Sequence, residues 1–131
     1  MLIVDDDEAM RRSVRRVLLL DGYQVETVGN AAELRAKPDL DGYFAILLDR
    51  KLPDADGSEL LEELKEKAPH AAILIITGYA DMDSTLKAIR TGVHDYLIKP
   101  VEPEALRKRL ATLAEFFRVR QELLLSEKRM L

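Results

Sequence analysis

Short apolar runs alternate with amphipathic segments five times along this chain. Leu2 to Val4 holds no polar position, as expected of a strand buried on both faces. Glu8 to Leu20 then places Met10, Val14, Val17 and Leu18 on one helical face, with Arg11, Arg12, Arg15 and Arg16 largely off it. Asp21-Gly22 ends that helix. Tyr23 to Val28 alternates like a half-exposed strand, Asn30 is placed to cap a short helix from Ala31 to Ala36, and Phe44 to Leu48 is again fully apolar. A third helix is expected from about Ser58 to Lys67, with Gly57 relieving the turn before it. Strands at Ala72 to Ile76 and Tyr96 to Ile98 flank a fourth helix, Asp81 to Arg90. Pro103 opens a fifth helix, at a position where a missing N–H costs little.

Uniformly apolar strands alternating with helices imply an α/β fold with a parallel sheet covered on both faces, a (βα)5 pattern. Such sheets bind ligands beyond the carboxyl ends of their strands, where the winding direction reverses. In a sheet of order 2-1-3-4-5 that crevice lies between strands one and three.

The polar residues that end the apolar runs give the crevice its chemistry. Asp5 and Asp6 follow the first strand, Asp49 the third, Thr77 the fourth and Lys99 the fifth. Carboxylates gathered within roughly 5 Å repel by about 3 kcal/mol per pair at an effective dielectric near 20, so a cation or a proton is needed to relieve them. All-oxygen ligands without neighbouring histidine or cysteine favour Mg2+ over zinc or copper. An incoming phosphoryl group would meet a metal, the Lys99 ammonium, the Thr77 hydroxyl and a carboxylate nucleophile, Asp49. Taken singly, an aspartate after a strand is often only a helix N-cap, and Asp7 is read that way. His70 and His94 stand apart and are read as surface residues rather than catalytic bases.

Composition narrows the class. The 131 residues suit one domain with a real core, since 47% are hydrophobic. The 20 basic and 24 acidic side chains are interspersed, net -4, which argues against direct nucleic-acid binding. There is no cysteine, hence no disulfide or thiolate metal site, and no apolar run long enough to span a membrane. A cytoplasmic protein is expected.

Four motifs, in order and at fitting spacing, resemble the receiver (phosphoacceptor) domain of two-component response regulators: Leu2-Ile3-Val4-Asp5-Asp6-Asp7, Asp49 through Gly57, Thr77-Gly78-Tyr79-Ala80, and Gly92 through Pro100. The resemblance implies a doubly wound, flavodoxin-like five-stranded sheet of order 2-1-3-4-5. It implies that Asp49 accepts a phosphoryl group from a phosphohistidine on a sensor histidine kinase or phosphotransfer protein, as a signalling switch rather than an enzyme. By the same resemblance Asp6 binds Mg2+ directly, Asp5 mainly through water, and the Lys51 backbone carbonyl completes the protein ligands. Thr77 and Lys99 contact the phosphoryl oxygens, and Tyr96 swings inward with Thr77, altering the face made by the fourth helix, fifth strand and fifth helix. The Lys99-Pro100 bond is expected cis. Lys51 and Tyr79 would flank the phosphoryl group and tune its lifetime. A competing class is a metal-dependent phosphohydrolase using Asp49, but the aspartyl phosphatases typically need a second acid two residues later, where this chain has Lys51. A pure interaction module would have no use for the complete acidic, hydroxyl and lysine set.

The receiver is expected over residues 1–117, with 118–131 a helical extension or linker to a missing C-terminal output module. No Gly or Pro interrupts the pattern after Pro103, so one helix of about 43 Å is expected to Leu131. Leu106, Leu110, Leu113 and Phe117 form a stripe that packs on the domain. Phe116, Val119, Leu123 and Met130 form a second, solvent-facing stripe suited to a homodimeric coiled coil, though two heptads are short for one.

Overall fold

The computed structural model describes residues 1–78 and 95–130. The described elements are β1 (Leu2–Val4), α1 (Glu8–Leu20), β2 (Glu26–Val28), α2 (Ala31–Arg35), a 3-10 turn (Leu40–Gly42), β3 (Ala45–Asp49), α3 (Gly57–Lys67), β4 (Ala72–Thr77), β5 (Asp95–Ile98) and a C-terminal helix (Pro103–Met130). The five strands form one parallel sheet in the order β2-β1-β3-β4-β5, the expected doubly wound topology. The expected fourth helix, Tyr79 and His94 lie outside the described residues.

Strand periodicity divides the core into two layers. Leu2, Val4, Ile46, Leu48, Ile73 and Ile75 point to one face, where α2 and α3 cover them with Leu34, Leu60, Leu61 and Leu64. Ile3, Ala45, Leu47, Leu74, Ile76 and Leu97 point to the other, beneath Val14 and Leu18 of α1 and Leu106 and Leu110 of the C-terminal helix. This two-sided burial is why the central strands show no polar alternation.

The helix ends follow their local chemistry. Asp7 caps α1 by accepting from the Met10 N–H, and Asn30 caps α2 by accepting from the Glu33 N–H at 2.8 Å. At the other end of α1, Gly22 takes φ +87°. The Gly22 and Tyr23 N–H groups return to the Leu19 and Leu18 carbonyls, a Schellman closure.

Two expectations change and a third gains detail. The second strand is shorter than Tyr23–Val28 because β1 offers only three partners, Leu2 through Val4, which pair with Glu26 through Val28. Gly57 is needed for space: a Cβ there would lie 2.8 Å from the Arg50 Cα and carbonyl oxygen, and its φ is not positive. His70 is exposed as expected but has a partner: Asp41 Oδ2 lies 2.7 Å from its Nδ1, and its backbone N–H donates to the other oxygen of the same carboxylate. That contact holds the Asp41 carboxyl below its usual range, first through the imidazole hydrogen bond and then through the backbone one.

The C-terminal helix is continuous over 28 residues, about 42 Å at 1.5 Å per residue. Leu106 and Leu110 are buried and Leu113 half-buried, whereas Phe116, Val119 and Leu123 are exposed, as are Leu124 and Leu125. Among the described residues no helix is long and apolar enough to cross a membrane.

Candidate functional site

The carboxyl ends of β1, β3, β4 and β5 bring Asp5, Asp6, Asp49, Thr77 and Lys99 to one edge of the sheet. Asp49 is the last residue of β3, held in register opposite Ile76, and the ladder runs on as the Arg50 N–H donates to the Ile76 carbonyl at 3.0 Å. The Lys99 N–H donates to the Thr77 carbonyl at 2.8 Å, which fixes the ends of β4 and β5 against each other. The Lys99-Pro100 peptide is cis, as expected.

Carboxylate oxygens of Asp5, Asp6 and Asp49 all lie within 4.8 Å of one another. Asp5 is fully buried, Asp49 is 5% exposed, and Asp6 faces solvent. Lys99 Nζ sits 3.2 Å from Asp5 Oδ2 and 3.2 Å from Asp49 Oδ2, bridging the two buried acids. The Asp49 carboxylate also accepts the Lys51 N–H at 3.2 Å, and Asp5 Oδ1 accepts the Asp7 N–H at 2.9 Å.

Charge balance in this cluster is incomplete. Burial, then the neighbouring Asp5 carboxylate, pushes the Asp49 carboxyl up from 3.8 to about 6, against the opposing pull of the Lys51 N–H and Lys99. Burial alone would lower the Lys99 ammonium, but Asp49 and Asp5 outweigh it and the net direction is upward. Lys99 pairs with two of the three carboxylates, and the buried Asp5 Oδ2 has the Lys99 ion pair but no well-directed hydrogen bond. The donor set is therefore oxygen-only, electron-rich and partly orphaned, which fits a hard divalent cation of the Mg2+ kind.

Thr77 is buried at the end of β4, its hydroxyl only 3.4 Å from the Gly78 carbonyl and so weakly engaged. Tyr96 lies in β5 opposite Ile75, half-buried against the α2 and α3 layer of the core. The fourth helix with which it is expected to act lies outside the described residues. Lys51 is exposed at the root of the loop after β3.

Two participants carry no local signal in the sequence. Arg11, one of four arginines on α1, donates from Nη1 to the Asp5 carbonyl at 2.6 Å, with that nitrogen 3.0 Å from where a Cβ on Gly29 would stand. Asp54 accepts the Ala31 and Ala32 N–H groups at 2.8 and 3.0 Å, tying the loop after β3 to the start of α2. The Asp54 contacts join segments distant in sequence, and the Arg11 contact, only six residues long, depends on how α1 leaves β1.

A family model, the response regulator receiver domain, matches residues 1–111. Among curated proteins, the chain is 33% identical over 106 residues to the response regulator protein FleR of Pseudomonas aeruginosa, covering 81% of this chain and 22% of that protein. It is 35% identical over 121 residues to the alginate biosynthesis transcriptional regulatory protein AlgB of Pseudomonas putida, covering 92% and 26%. The chain thus spans about a quarter of the length of these relatives. Among solved structures, a response regulator receiver domain protein from Clostridium thermocellum is 30% identical with a TM-score of 0.79, covering 94% of this chain and 96% of that one. The receiver domain of NtrX from Brucella abortus is 28% identical with a TM-score of 0.80, covering 87% and 97%.

Proposed function

The chain belongs to the response regulator receiver family, and on that premise we propose that it is a phosphorylation-dependent switch with Asp49 as the phosphoacceptor. The observation that carries this reading is the Asp49 carboxylate itself, buried at the sheet edge, within reach of Asp5 and Asp6 and 3.2 Å from the Lys99 ammonium. A carboxylate so placed is shielded from general solvent yet supplied with charge on both sides of an incoming phosphoryl group.

Asp6, Asp49 and the Lys51 carbonyl are the residues that would hold Mg2+, with Asp5 acting through water. The ion supplies positive charge to phosphoryl oxygens, which makes a crowded anionic site habitable for one more anion. Asp49 forms the new P–O bond as the P–N bond to the kinase imidazole breaks, the electron pair leaving with the nitrogen. Lys99 turns from its carboxylate partners toward the phosphoryl oxygens, and the Thr77 hydroxyl donates to another. The resulting charge-assisted contacts exist only in the phosphorylated state, so they bias a two-state element. That element is the surface to which Tyr96 and the C-terminal helix contribute.

We further assign residues 1–117 to the receiver and 118–131 to a helical lead toward an output module, in a cytoplasmic protein without direct nucleic-acid contact of its own. The exposed Phe116, Val119 and Leu123 support homodimerisation controlled by phosphorylation. A phosphohydrolase reading lacks its acid, since exposed Lys51 occupies the second position after Asp49.

The test is sedimentation with and without Mg2+ and beryllium fluoride, an acyl-phosphate mimic. Wild type should shift toward dimer and Thr77→Ala should shift less. A mass and an amide-exchange pattern over residues 81–117 that ignore the mimic would refute the switch.

A further inference from the structure

We propose that Asp54 is a positioning residue that sets the loop carrying the Lys51 carbonyl by anchoring its tip to the start of α2. The inference rests on the reading of that loop as part of a Mg2+ and phosphoryl site. Its evidence is separate from that reading.

The loop from Arg50 to Gly57 is closed on itself. The Gly57 N–H donates to the Arg50 carbonyl at 2.8 Å, Lys51 and Asp56 form an antiparallel bridge, and Gly57 lies so close to the Arg50 backbone that no Cβ fits. A closed loop moves as a unit, so its orientation depends on where it is held. Its root is held by β3 and by the Lys51 N–H on Asp49 Oδ1 at 3.2 Å. Its tip projects into solvent at Pro53 and Asp54; Leu52 and Ala55 on either side pack half-buried on the core, and the directional tie to the rest of the domain is the Asp54 carboxylate.

The anchor point is well defined. Ala31 and Leu34 seat α2 in the core, and Arg35 pairs with Glu63 of α3 through two contacts of 2.6 and 2.9 Å. Asn30 satisfies the Glu33 N–H, which leaves the two preceding N–H groups to Asp54. Donation from those two amides holds the Asp54 carboxyl below its ordinary range, so it stays ionised and engaged at neutral pH. A two-point contact from a planar carboxylate fixes direction as well as distance, which a single hydrogen bond does not. Released at its tip, the closed loop would keep only its root and the apolar contacts of Leu52 and Ala55, and the strain of its motion would fall on the root, loosening the Lys51 carbonyl and N–H from their set position beside Asp49.

The test uses the full chain as wild type, Asp54→Asn and Asp54→Ala. Mg2+ alone is titrated, Lys51 amide exchange is followed by NMR, and thermal unfolding is recorded beside them. Asp54→Ala should weaken Mg2+ binding about 10-fold, the low end of what loss of an outer partner to a metal ligand costs, and should speed Lys51 exchange. Asp54→Asn keeps one acceptor oxygen and should fall between; it also serves if the alanine variant does not fold. A lower melting temperature with unchanged Mg2+ affinity and unchanged Lys51 exchange would reduce Asp54 to a helix cap and overturn the proposal. If wild type itself bound no Mg2+, the functional reading would fall, and Lys51 exchange alone would still decide whether Asp54 positions the loop.

Discussion

Removing the negative charge at Asp49 should make the unliganded protein more stable. Asp49→Asn keeps the shape of the side chain and an oxygen to accept the Lys51 N–H, while Lys99 retains Asp5 as a partner at 3.2 Å. What disappears is the burden that raises the carboxyl from 3.8 to about 6, first burial and then repulsion by Asp5. A displacement of that size corresponds to about 3 kcal/mol. Water at the open, Asp6 side of the cluster screens it, which leaves about 1–2 kcal/mol as the expected gain. The sign follows from linkage: a carboxyl raised on folding keeps more protons in the folded state, so stability is greatest below pH 3.8 and falls as pH rises through about 6. Urea unfolding at pH 7.5 without divalent ions should therefore rank Asp49→Asn above wild type, and the gap should close as pH drops toward 4. Mg2+ at ten times its dissociation constant should restore about 1.4 kcal/mol to wild type and little to the variant. A variant less stable than wild type at pH 7.5, or a gap indifferent to pH, would refute this account of the site.

Other consequences follow from particular contacts. On the proposed reading Asp6→Ala should weaken Mg2+ binding more than Asp5→Ala, because the exposed Asp6 would be the direct ligand whereas the buried Asp5 is already paired with Lys99; calorimetric titration compares them. Gly57→Ala should cost about 1–3 kcal/mol in chemical denaturation, since its Cβ must displace the Arg50 backbone. Leu110→Ala, at a fully buried position, should cost about 2–5 kcal/mol and loosen the C-terminal helix. Replacing Phe116 and Leu123 by serine should change monomer stability by no more than about 0.5 kcal/mol yet reduce self-association in sedimentation.

Much of the fold was legible because its first, third and fourth strands are short apolar runs, and because every strand but the second is followed or closed by a residue of distinct chemistry. Asp5, Asp6, Asp49, Thr77 and Lys99 could be picked out because strand ends in a parallel sheet converge. The length of β2 was not legible: Tyr23 to Val25 alternate as a strand would, but β1 is too short to pair with them. Gly57 could be singled out but its reason could not, since a clash with Arg50 is a property of the closed loop. Arg11 was hidden as one among four similar arginines, and Asp54 as a loop-tip residue bonded to backbone that only folding brings near. The stripes of the C-terminal helix were legible from spacing, with Leu106 and Leu110 inward and Phe116, Val119 and Leu123 outward. The exposed Leu19 and Leu20 at the end of α1 were not anticipated, and nothing in the structure explains them.

The central claim is that Asp49 receives the phosphoryl group, and intact-mass analysis tests it most directly. Incubation with acetyl phosphate and Mg2+ should add one acid-stable, base-labile phosphoryl group to wild type, and none when Mg2+ is chelated or when the protein is Asp49→Asn. Equal labelling of the Asn variant would contradict it.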